Sequence, residues 1–281
     1  GPSRGLGDVY KRQITYSKGY KMNTTNQIAL ITGAGNGIGR AIAIAMGENQ
    51  RNVICADIDL DAAQITANTI RQLGVEATAV RVDVGETLQI SEMIQKVKKE
   101  FGRLDILVNN AGVTRAADIM ELTEGDWDRI HRVNAKGVFF CLQGAAKQMI
   151  EQDSGGRIIN IASIAGRGFA GTSNAAYSAS KGAVISLTKT AAQQLAKHDI
   201  TVNSICPGVT TTEIVEGLVK TRAEAKGISL DDMVKEMTDN IPLKRANDPE
   251  DIAAMAIFLA SKGARNITGQ SYNVDGGLVT S

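Results

Sequence analysis

The sequence predicts an α/β protein in which one doubly wound parallel sheet carries helices on both faces. Short apolar runs alternate with longer, helix-prone stretches, a glycine-rich turn follows the first apolar run, and a carboxylate ends the second. Such alternation is typical of a parallel sheet wrapped by helices. With 281 residues, 43% of them hydrophobic, the chain can bury one large core, and no low-complexity linker divides it.

The first strand and the turn after it carry a cofactor-binding pattern. Residues 27–32 form an apolar run, Gly33, Gly37 and Gly39 follow, and residues 38–46 have helical periodicity. A glycine-rich turn between strand and helix presents free N–H groups to a pyrophosphate. The spacing G-x-x-x-G-x-G differs from the general dinucleotide fingerprint, and ordinary tight turns also use glycine clusters. In this helix Ile38, Ala41, Ile42 and Ala45 lie on one face.

The second strand, residues 52–57, ends in Asp57, eighteen residues after Gly39. A carboxylate at this position can bind both ribose hydroxyls of a dinucleotide and repels a 2′-phosphate, which favours NAD over NADP. No arginine or lysine stands at position 36, 57 or 58 to bind such a phosphate. The simpler interpretation of Asp57 is a helix cap, for which Asp59 is the better candidate.

The remaining elements continue the alternation. Strands are predicted at residues 77–82, 106–108, 157–161, 201–206 and 270–274, and helices at 61–73, 86–101, 126–151, 175–197 and 249–261. Tyr177 and Lys181 would share one face of a helix, because positions i and i+4 are neighbours. A lysine cation there favours the phenolate and lowers the tyrosine pKa from about 10. Taken alone, Y-x-x-x-K is a short pattern that also occurs by chance on solvated helices.

Several motifs occur in a fixed order along the chain. They are Thr32 to Gly39, Asp83-Val84, Asn109-Asn110-Ala111-Gly112, Asn134, Ser163, Tyr177, Lys181 and Pro207-Gly208. On these motifs the chain resembles the short-chain dehydrogenase/reductase family from about residue 26 to residue 281. The resemblance implies a single Rossmann-type sheet with the strand order 3-2-1-4-5-6-7. It also implies hydride transfer between a nicotinamide cofactor and an alcohol or ketone.

The resemblance assigns four catalytic residues. Tyr177 would be the general acid/base, Ser163 would hydrogen-bond the substrate oxygen, Lys181 would hold the nicotinamide ribose, and Asn134 would anchor a water of the proton relay. Hydroxyl donors suit this chemistry because negative charge develops on the substrate oxygen during reduction. Taken singly, Ser163 is as well explained as a strand-end cap and Asn134 as a helix-bending amide. The cofactor-binding residues implied in the same way are Gly33, Asn36, Gly37, Ile38, Gly39, Asp57, Asp83, Val84, Asn110, Tyr177, Lys181, Pro207, Val209 and Thr212.

The substrate side of the site is less specific. Residues 164–169 are small and apolar apart from Arg167 and Phe169, which suits a compact secondary alcohol or ketone. Arg167 could meet a carboxylate or a hydroxyl-rich chain, or simply face solvent. Residues 210–240 are mostly polar and helix-prone, and in the family this region closes over substrate as a lid. The lid and the ending of residues 269–277 look most like polyol, sorbitol-type or acetoin/butanediol dehydrogenases.

Other functions remain open. A 3-oxoacyl-(acyl-carrier-protein) reductase would be expected to use NADPH and to carry docking arginines where this chain has Ser154 and His198. A 3-hydroxybutyrate dehydrogenase would be expected to have a histidine at position 165 and an aromatic residue at position 209, where alanine and valine stand. A hydroxysteroid-type enzyme is a further alternative. The most distant one is a non-catalytic NAD-binding sensor or scaffold.

The composition points to a cytoplasmic enzyme. No apolar run approaches about 20 residues, the length of a membrane span. The three cysteines are scattered in apolar segments without C-x-x-C spacing, as expected of buried thiols in a reducing compartment. The two histidines belong to no ligand cluster, so no metal is expected. From the family we expect a homotetramer, paired through helices 126–151 and 175–197, with neither nucleic acid nor membrane as a partner.

Residues 1–21 are expected to be a non-native leader, and residues 22–281 the single enzyme domain. Gly1-Pro2 resembles the pair left after removal of a tag, and residues 8–13 back-translate to a transposase adapter used in sequencing libraries. The hypothesis is a metagenomic source with a native start at Met22. The rival, a basic targeting arm, lacks the apolar core of a signal peptide. The leader contains five of the 31 basic and one of the 30 acidic residues, so the remaining 26 and 29 give no basic surplus for nucleic acid.

Overall fold

A seven-stranded parallel sheet forms the centre of the molecule in the computed structural model, which describes residues 27–169 and 173–280. The strands are β1 (Ile28–Thr32), β2 (Asn52–Asp57), β3 (Ala77–Arg81), β4 (Ile106–Asn109), β5 (Gly156–Ile161), β6 (Ile200–Pro207) and β7 (Ser271–Val274). They lie in the order β3-β2-β1-β4-β5-β6-β7, which confirms the predicted fold class and strand order. The order reverses between β1 and β4, and the carboxyl ends of the strands there border a crevice suited to a ligand.

Helices cover both faces of the sheet. They are α1 (Gly37–Glu48), α2 (Leu60–Arg71), α3 (Thr87–Phe101), α4 (Glu124–His131), α5 (Val138–Glu151), α6 (Ala175–Leu195), α7 (Glu213–Lys226), α8 (Leu230–Thr238) and α9 (Pro249–Ala260). The core between α3, α5, α6 and the sheet includes Leu30, whereas the core under α1, α2 and α9 includes Ile31. Both side chains are fully buried, as expected for a strand covered on two faces.

Capping residues explain where several helices begin and end. Asp59 accepts hydrogen bonds from two backbone N–H groups of the first turn of α2, at 3.0 and 3.1 Å, which confirms the cap predicted there. Pro249 opens α9 after Asp248, whose side chain completes a capping box. Gly102 and Gly227 have left-handed φ values of 70° and 66° at the ends of α3 and α7, where glycine is favoured.

Two helices have features that the sequence pattern did not predict. The helix predicted over residues 126–151 is interrupted by a π-helical segment, Arg132–Gly137, between α4 and α5. The interruption lies at Asn134, whose buried amide bonds to the loop after β4 (below). In α1 the predicted face packs against the core, with Ile42 fully buried and Ile38, Ala41 and Ala45 partly buried. The buried side also includes Gly39, Ala43, Met46 and Gly47.

The cysteines are free and buried in the described part of the chain. Burial raises the pKa of Cys55 and of Cys141 to about 12, so both thiols stay protonated at neutral pH. Among the described residues, no group of three or more His, Cys, Asp and Glu side chains is arranged to hold a metal ion. Within the same ranges, every helix is too short or too polar to cross a membrane. The leader, residues 1–21, lies outside the described ranges.

Candidate active site

The four predicted catalytic side chains converge beyond the carboxyl ends of β4 and β5. Ser163 follows β5 by two residues, and Tyr177 and Lys181 lie on the first turns of α6. The Lys181 ammonium is 5.7 Å from the centre of the Tyr177 ring. A Cβ atom built on Gly112 would lie 3.4 Å from Asn134 Oδ1 and 3.5 Å from Lys181 Nζ, so this glycine separates the amide from the ammonium.

The position of Tyr177 depends on Asn174, a residue to which the sequence assigned no role. Asn174 is buried and caps α6, its Oδ1 accepting the Tyr177 N–H at 2.8 Å. Its Nδ2 donates to the backbone oxygen of Arg115 at 2.7 Å, which ties the helix to the loop after β4. Ser180 adds a hydrogen bond from its hydroxyl to the Tyr177 carbonyl at 2.7 Å. An asparagine immediately before a run of helix formers is an N-cap signal that the sequence already contained.

Burial controls the proton affinity of the phenol and the ammonium. Desolvation raises the pKa of Tyr177, and a hydrogen bond with the Ser163 side chain acts in the opposite direction. Desolvation lowers the pKa of Lys181 to about 8, with a smaller opposing effect from Cys206. The Lys181 ammonium donates to the Ile161 carbonyl at 2.8 Å instead of to the phenol. The predicted lowering of the Tyr177 pKa is therefore wrong in this structure, because burial is the largest cause and raises it.

Asn134 and Ser163 also have structural roles. The Asn134 amide accepts from the Val113 N–H at 2.8 Å, and its Nδ2 donates to the Val113 carbonyl at 2.9 Å and to the Ser180 hydroxyl at 3.2 Å. Ser163 Oγ accepts from the Ala165 N–H at 3.1 Å and so caps a short 3₁₀ helix, Ile164–Arg167. Ser163 is thus a cap, and Asn134, considered from the sequence as a helix-bending amide, lies in the π-helical interruption. Both residues also lie near Tyr177 and Lys181.

The turn after β1 has the geometry of an anion cradle. Gly33 and Gly37 have φ values of 66° and 52°, which favour glycine. A Cβ atom on Gly39 would lie 2.0 Å from the Gly33 carbonyl oxygen, so only glycine fits. Asn36, at the start of α1, makes no side-chain cap, and the first turn of α1 has no acidic residue. The first N–H groups of α1, including that of Ile38, therefore suit the pyrophosphate of a dinucleotide.

Asp57 faces this turn from the end of β2. Its Oδ2 accepts the Gly35 N–H at 2.8 Å, and its Oδ1 accepts the Asp59 N–H at 3.0 Å. Since Asp59 is the cap of α2, Asp57 is not needed for that purpose. The half-buried carboxylate is held beside the glycine turn by two backbone donors.

The other predicted cofactor residues lie at the same edge of the sheet. Asn110 Nδ2 donates to the carbonyls of Thr32 and Gly33 at 3.1 and 3.0 Å, and its N–H donates to Thr32 Oγ1 at 3.0 Å. Thr32, to which the sequence gave no separate role, therefore joins the glycine turn to β4. Asp83 follows β3, accepts the Gly85 N–H at 2.8 Å and pairs with Arg132 at 3.2 Å. Val84, next to Asp83, is buried.

The segment after β6 reaches the same turn. Pro207 ends β6, and the Val209 carbonyl accepts the Asn247 N–H at 2.8 Å. Thr212 caps α7 through its hydroxyl, and a Cβ atom on Gly37 would lie 3.4 Å from Thr212 Cγ2. The first residues of α7 and the first residues of α1 therefore border one crevice.

Arg167 neither faces the substrate side nor points into solvent, the two positions considered from the sequence. Its guanidinium turns toward the sheet, where Nη2 donates to the Ser271 carbonyl at 2.5 Å. Burial raises the pKa of the Cys206 thiol, and the nearby positive charge of Arg167 opposes that rise. The wall formed by residues 164–169 is consequently apolar, and the Arg167 cation considered as a substrate contact does not face it.

Residues 210–240 contain the helical hairpin α7–α8. A small separate core joins the two helices, with Val219, Ala223 and Met233 buried inside it. Each helix packs chiefly against the other rather than against the sheet. The predicted helix-prone segment is thus a compact hairpin whose first helix begins beside the glycine turn.

Comparison with known proteins agrees with this geometry. Residues 33–279 match the family model described as enoyl-(acyl carrier protein) reductase. A 3-oxoacyl-(acyl-carrier-protein) reductase FabG of Staphylococcus epidermidis is 41% identical over 255 residues, which cover 90% of this chain and 99% of the relative. Galactitol 2-dehydrogenase of Agrobacterium fabrum is 41% identical, and sorbitol dehydrogenase of Cereibacter sphaeroides is 39% identical. Each of these two matches covers 91% of this chain and 98% of the relative.

Solved structures extend the comparison. A short-chain type dehydrogenase/reductase from Mycobacterium marinum matches with a TM-score of 0.84 and 35% identity, over 92% of this chain and 97% of that one. NAD+-bound xylitol dehydrogenase matches with a TM-score of 0.83 and 32% identity, over 91% of this chain and 100% of that one. The chain belongs to the short-chain dehydrogenase/reductase family. It is an oxidoreductase that uses a nicotinamide cofactor.

Proposed function

We propose that the protein is an NAD(H)-dependent dehydrogenase that interconverts a small secondary alcohol, such as a polyol or an acetoin-type diol, and its ketone. The observation that carries the choice of cofactor is the Asp57 carboxylate, which is fixed beside the glycine turn by the N–H groups of Gly35 and Asp59. A carboxylate there suits ribose hydroxyls and repels a 2′-phosphate. A neighbouring structure from Agrobacterium tumefaciens holds NADP, so the family as a whole uses both cofactors.

In the proposed mechanism the chain supplies positioning and proton transfer. The bound nicotinamide supplies or accepts the hydride. Ser163 and Tyr177 donate hydrogen bonds to the substrate oxygen, where negative charge develops during reduction. Tyr177 gives its proton to that oxygen in reduction and takes one in oxidation. The Lys181 cation would hold the nicotinamide ribose. Asn134 joins the loop after β4 to α6 through its hydrogen bonds to Val113 and Ser180.

The proposed substrate class is based on the wall of residues 164–169 and on the α7–α8 hairpin. Residues 164–169 form a small wall, and the Arg167 guanidinium turns away from it. Such a surface suits a compact chain better than a charged one. We propose that α7 and α8 close over the substrate as a lid. The identities with galactitol 2-dehydrogenase and sorbitol dehydrogenase support the polyol class. We further propose a cytoplasmic homotetramer.

The second candidate is a 3-oxoacyl-(acyl-carrier-protein) reductase, which the 41% identical relative from Staphylococcus epidermidis favours. An acidic carrier protein needs a basic surface. The positions expected to carry docking arginines are Ser154 and His198, and the exposed acidic side chains of Glu151 and Asp153 lie nearby in sequence. Neither position has the arginine that would hold such a carrier, and we therefore rank the polyol class first.

The test is the initial rate of absorbance change at 340 nm with NADH and with NADPH. The substrates are acetoin, diacetyl, fructose, sorbose, acetoacetate and an acetoacetyl thioester. We expect NADH-dependent turnover of the small ketones or ketoses. Asp57→Asn keeps the hydrogen-bond acceptor but removes the charge, and should raise the NADPH/NADH rate ratio by at least about tenfold, equivalent to about 1.4 kcal/mol. Asp59→Asn, which preserves a good cap, is the matched control and should leave the ratio unchanged. A wild-type preference for NADPH with the thioester would overturn the proposal.

A further inference from the structure

An arginine at the amino-terminal edge of the sheet, opposite the candidate active site, is buried and forms no salt bridge with any residue that the structure describes. Arg51 immediately precedes β2, and its side chain is 1% exposed. Its Nε donates to Gln27 Oε1 at 3.2 Å, whereas its Nη1 is buried and finds no hydrogen-bond partner among the described residues. Burial lowers the pKa of Arg51, and no carboxylate contributes an opposing effect. A buried charge in this condition is costly, so the arrangement calls for a bound anion.

Arg51 borders a cavity of about 180 Å³. The cavity lies where several strands begin, since Asp105 precedes β4, Gly156 begins β5 and Asp199 precedes β6. It is therefore at the amino-terminal edge of the sheet, away from Tyr177. A water molecule occupies about 30 Å³ of liquid, so the space accommodates a small oxyanion with some hydration.

The charges around the cavity favour an anion. Arg51, Arg157 and Lys262 supply three cations to the lining. Of the two acids, Asp105 is already neutralised, because its carboxylate accepts from the Arg103 Nε at 2.9 Å and the Ile28 N–H at 2.8 Å. The other, Asp199, is exposed to solvent. A cationic surplus thus remains around the unpaired nitrogen of Arg51.

We propose that this cavity binds a small oxyanion, either phosphate or a carboxylate, with Arg51 Nη1 as the innermost donor. A guanidinium is suited to both groups because its planar fork matches two acceptor oxygens. The alternative source of an oxyanion is the chain itself. Residues 1–26 contain one acidic residue, Asp8. The proposed occupant is a free anion, and occupation by the Asp8 carboxylate is an outcome of the test that would overturn the proposal.

The test is thermal unfolding of the full-length protein during titration with sodium phosphate, acetate or chloride at matched ionic strength. A saturating dinucleotide cofactor keeps phosphate out of the other site. We expect phosphate or acetate, but not chloride, to raise the Tm in a saturable manner. Arg51→Met should weaken that binding about tenfold to a hundredfold, the effect of losing a charge-assisted hydrogen bond. Arg129→Met, which removes an exposed arginine of α4, is the control and should behave as the wild type does.

Three results would overturn the proposal. The first is a wild-type Tm that does not respond to phosphate or acetate, and the second is a response that survives in Arg51→Met. If Arg51→Met does not fold, Arg51→Lys replaces it, because an ammonium keeps the charge but lacks the fork, and an undiminished response there counts against the proposal. The third is a response that appears only when residues 1–21 are deleted, which would identify Asp8 as the occupant. Substrate turnover should be the same in Arg51→Met and the wild type.

Discussion

The Lys181 ammonium should lower the stability of the folded protein at neutral pH. This side chain is 3% exposed, and burial lowers its pKa from 10.5 to about 8. One pKa unit corresponds to about 1.4 kcal/mol, so the shift amounts to about 3 kcal/mol. Between pH 8 and pH 10.5 the unfolded chain keeps the Lys181 proton while the folded chain has lost it. The free energy of unfolding contributed by this group therefore rises with pH through that window.

Lys181→Met provides the measurement. Urea denaturation of the cofactor-free protein at several values between pH 7 and pH 10.5 gives the free energy of unfolding of wild type and variant. The difference, wild type minus variant, should rise by up to about 3 kcal/mol across the window. Subtraction removes the contributions of Cys55 and Cys141, whose raised pKa values destabilise both proteins above pH 9. Lys147→Met, at an exposed position of α5, is the control and should give a flat difference.

A flat or falling difference for Lys181→Met would refute the reasoning, since it would mean that burial does not set the proton affinity of this lysine. The expected outcome has a functional counterpart. At pH 7 the variant should be more stable relative to the wild type than it is at high pH, while losing turnover, as happens when an active site keeps a costly buried charge. The lost hydrogen bond to Ile161 reduces the gain without changing its pH dependence.

Two further predictions concern the same site. Tyr177→Phe should lower kcat by about a hundredfold to ten-thousandfold through loss of the general acid/base, while NADH binding measured by fluorescence stays intact; full biological activity of this variant would instead favour a sensor or scaffold. Gly39→Ala should reduce the free energy of unfolding by about 1–3 kcal/mol and weaken cofactor binding, because its Cβ would lie 2.0 Å from the Gly33 carbonyl oxygen. Gly125→Ala has ordinary contacts and serves as the control in urea denaturation; equal losses in the two alanine variants would contradict the steric argument.

Much of the fold follows from local patterns that the sequence contains. β2 begins and ends where predicted, and in the other strands no end lies more than one residue from its prediction. The agreement is close because a parallel strand that is buried on both faces is a continuous apolar run. The helix starts were predictable where a cap residue was present, as at Asp59. The strand order came from the family resemblance, since alternation alone does not fix it.

What the sequence could not supply depends on long-range contacts. The interruption at Asn134 arises from its hydrogen bonds to Val113, twenty-one positions away. The inward turn of Arg167 depends on the Ser271 carbonyl, 104 positions away. The i,i+4 spacing correctly placed Tyr177 near Lys181, but the effect on the tyrosine pKa depends on burial, which the spacing does not contain. Asn174 had a local signal, yet its bond to Arg115 shows its importance only in three dimensions.

The α7–α8 hairpin has an evolutionary consequence. Because Val219, Ala223 and Met233 pack within the hairpin, its stability is largely decoupled from the two cores that flank the sheet. Replacement of its surface residues leaves the cofactor turn and the catalytic side chains where they are. A hairpin packed in this way tolerates substitutions that leave the two sheet cores undisturbed, so under the proposed lid role the substrate preference can change while Ser163, Tyr177 and Lys181 keep their positions.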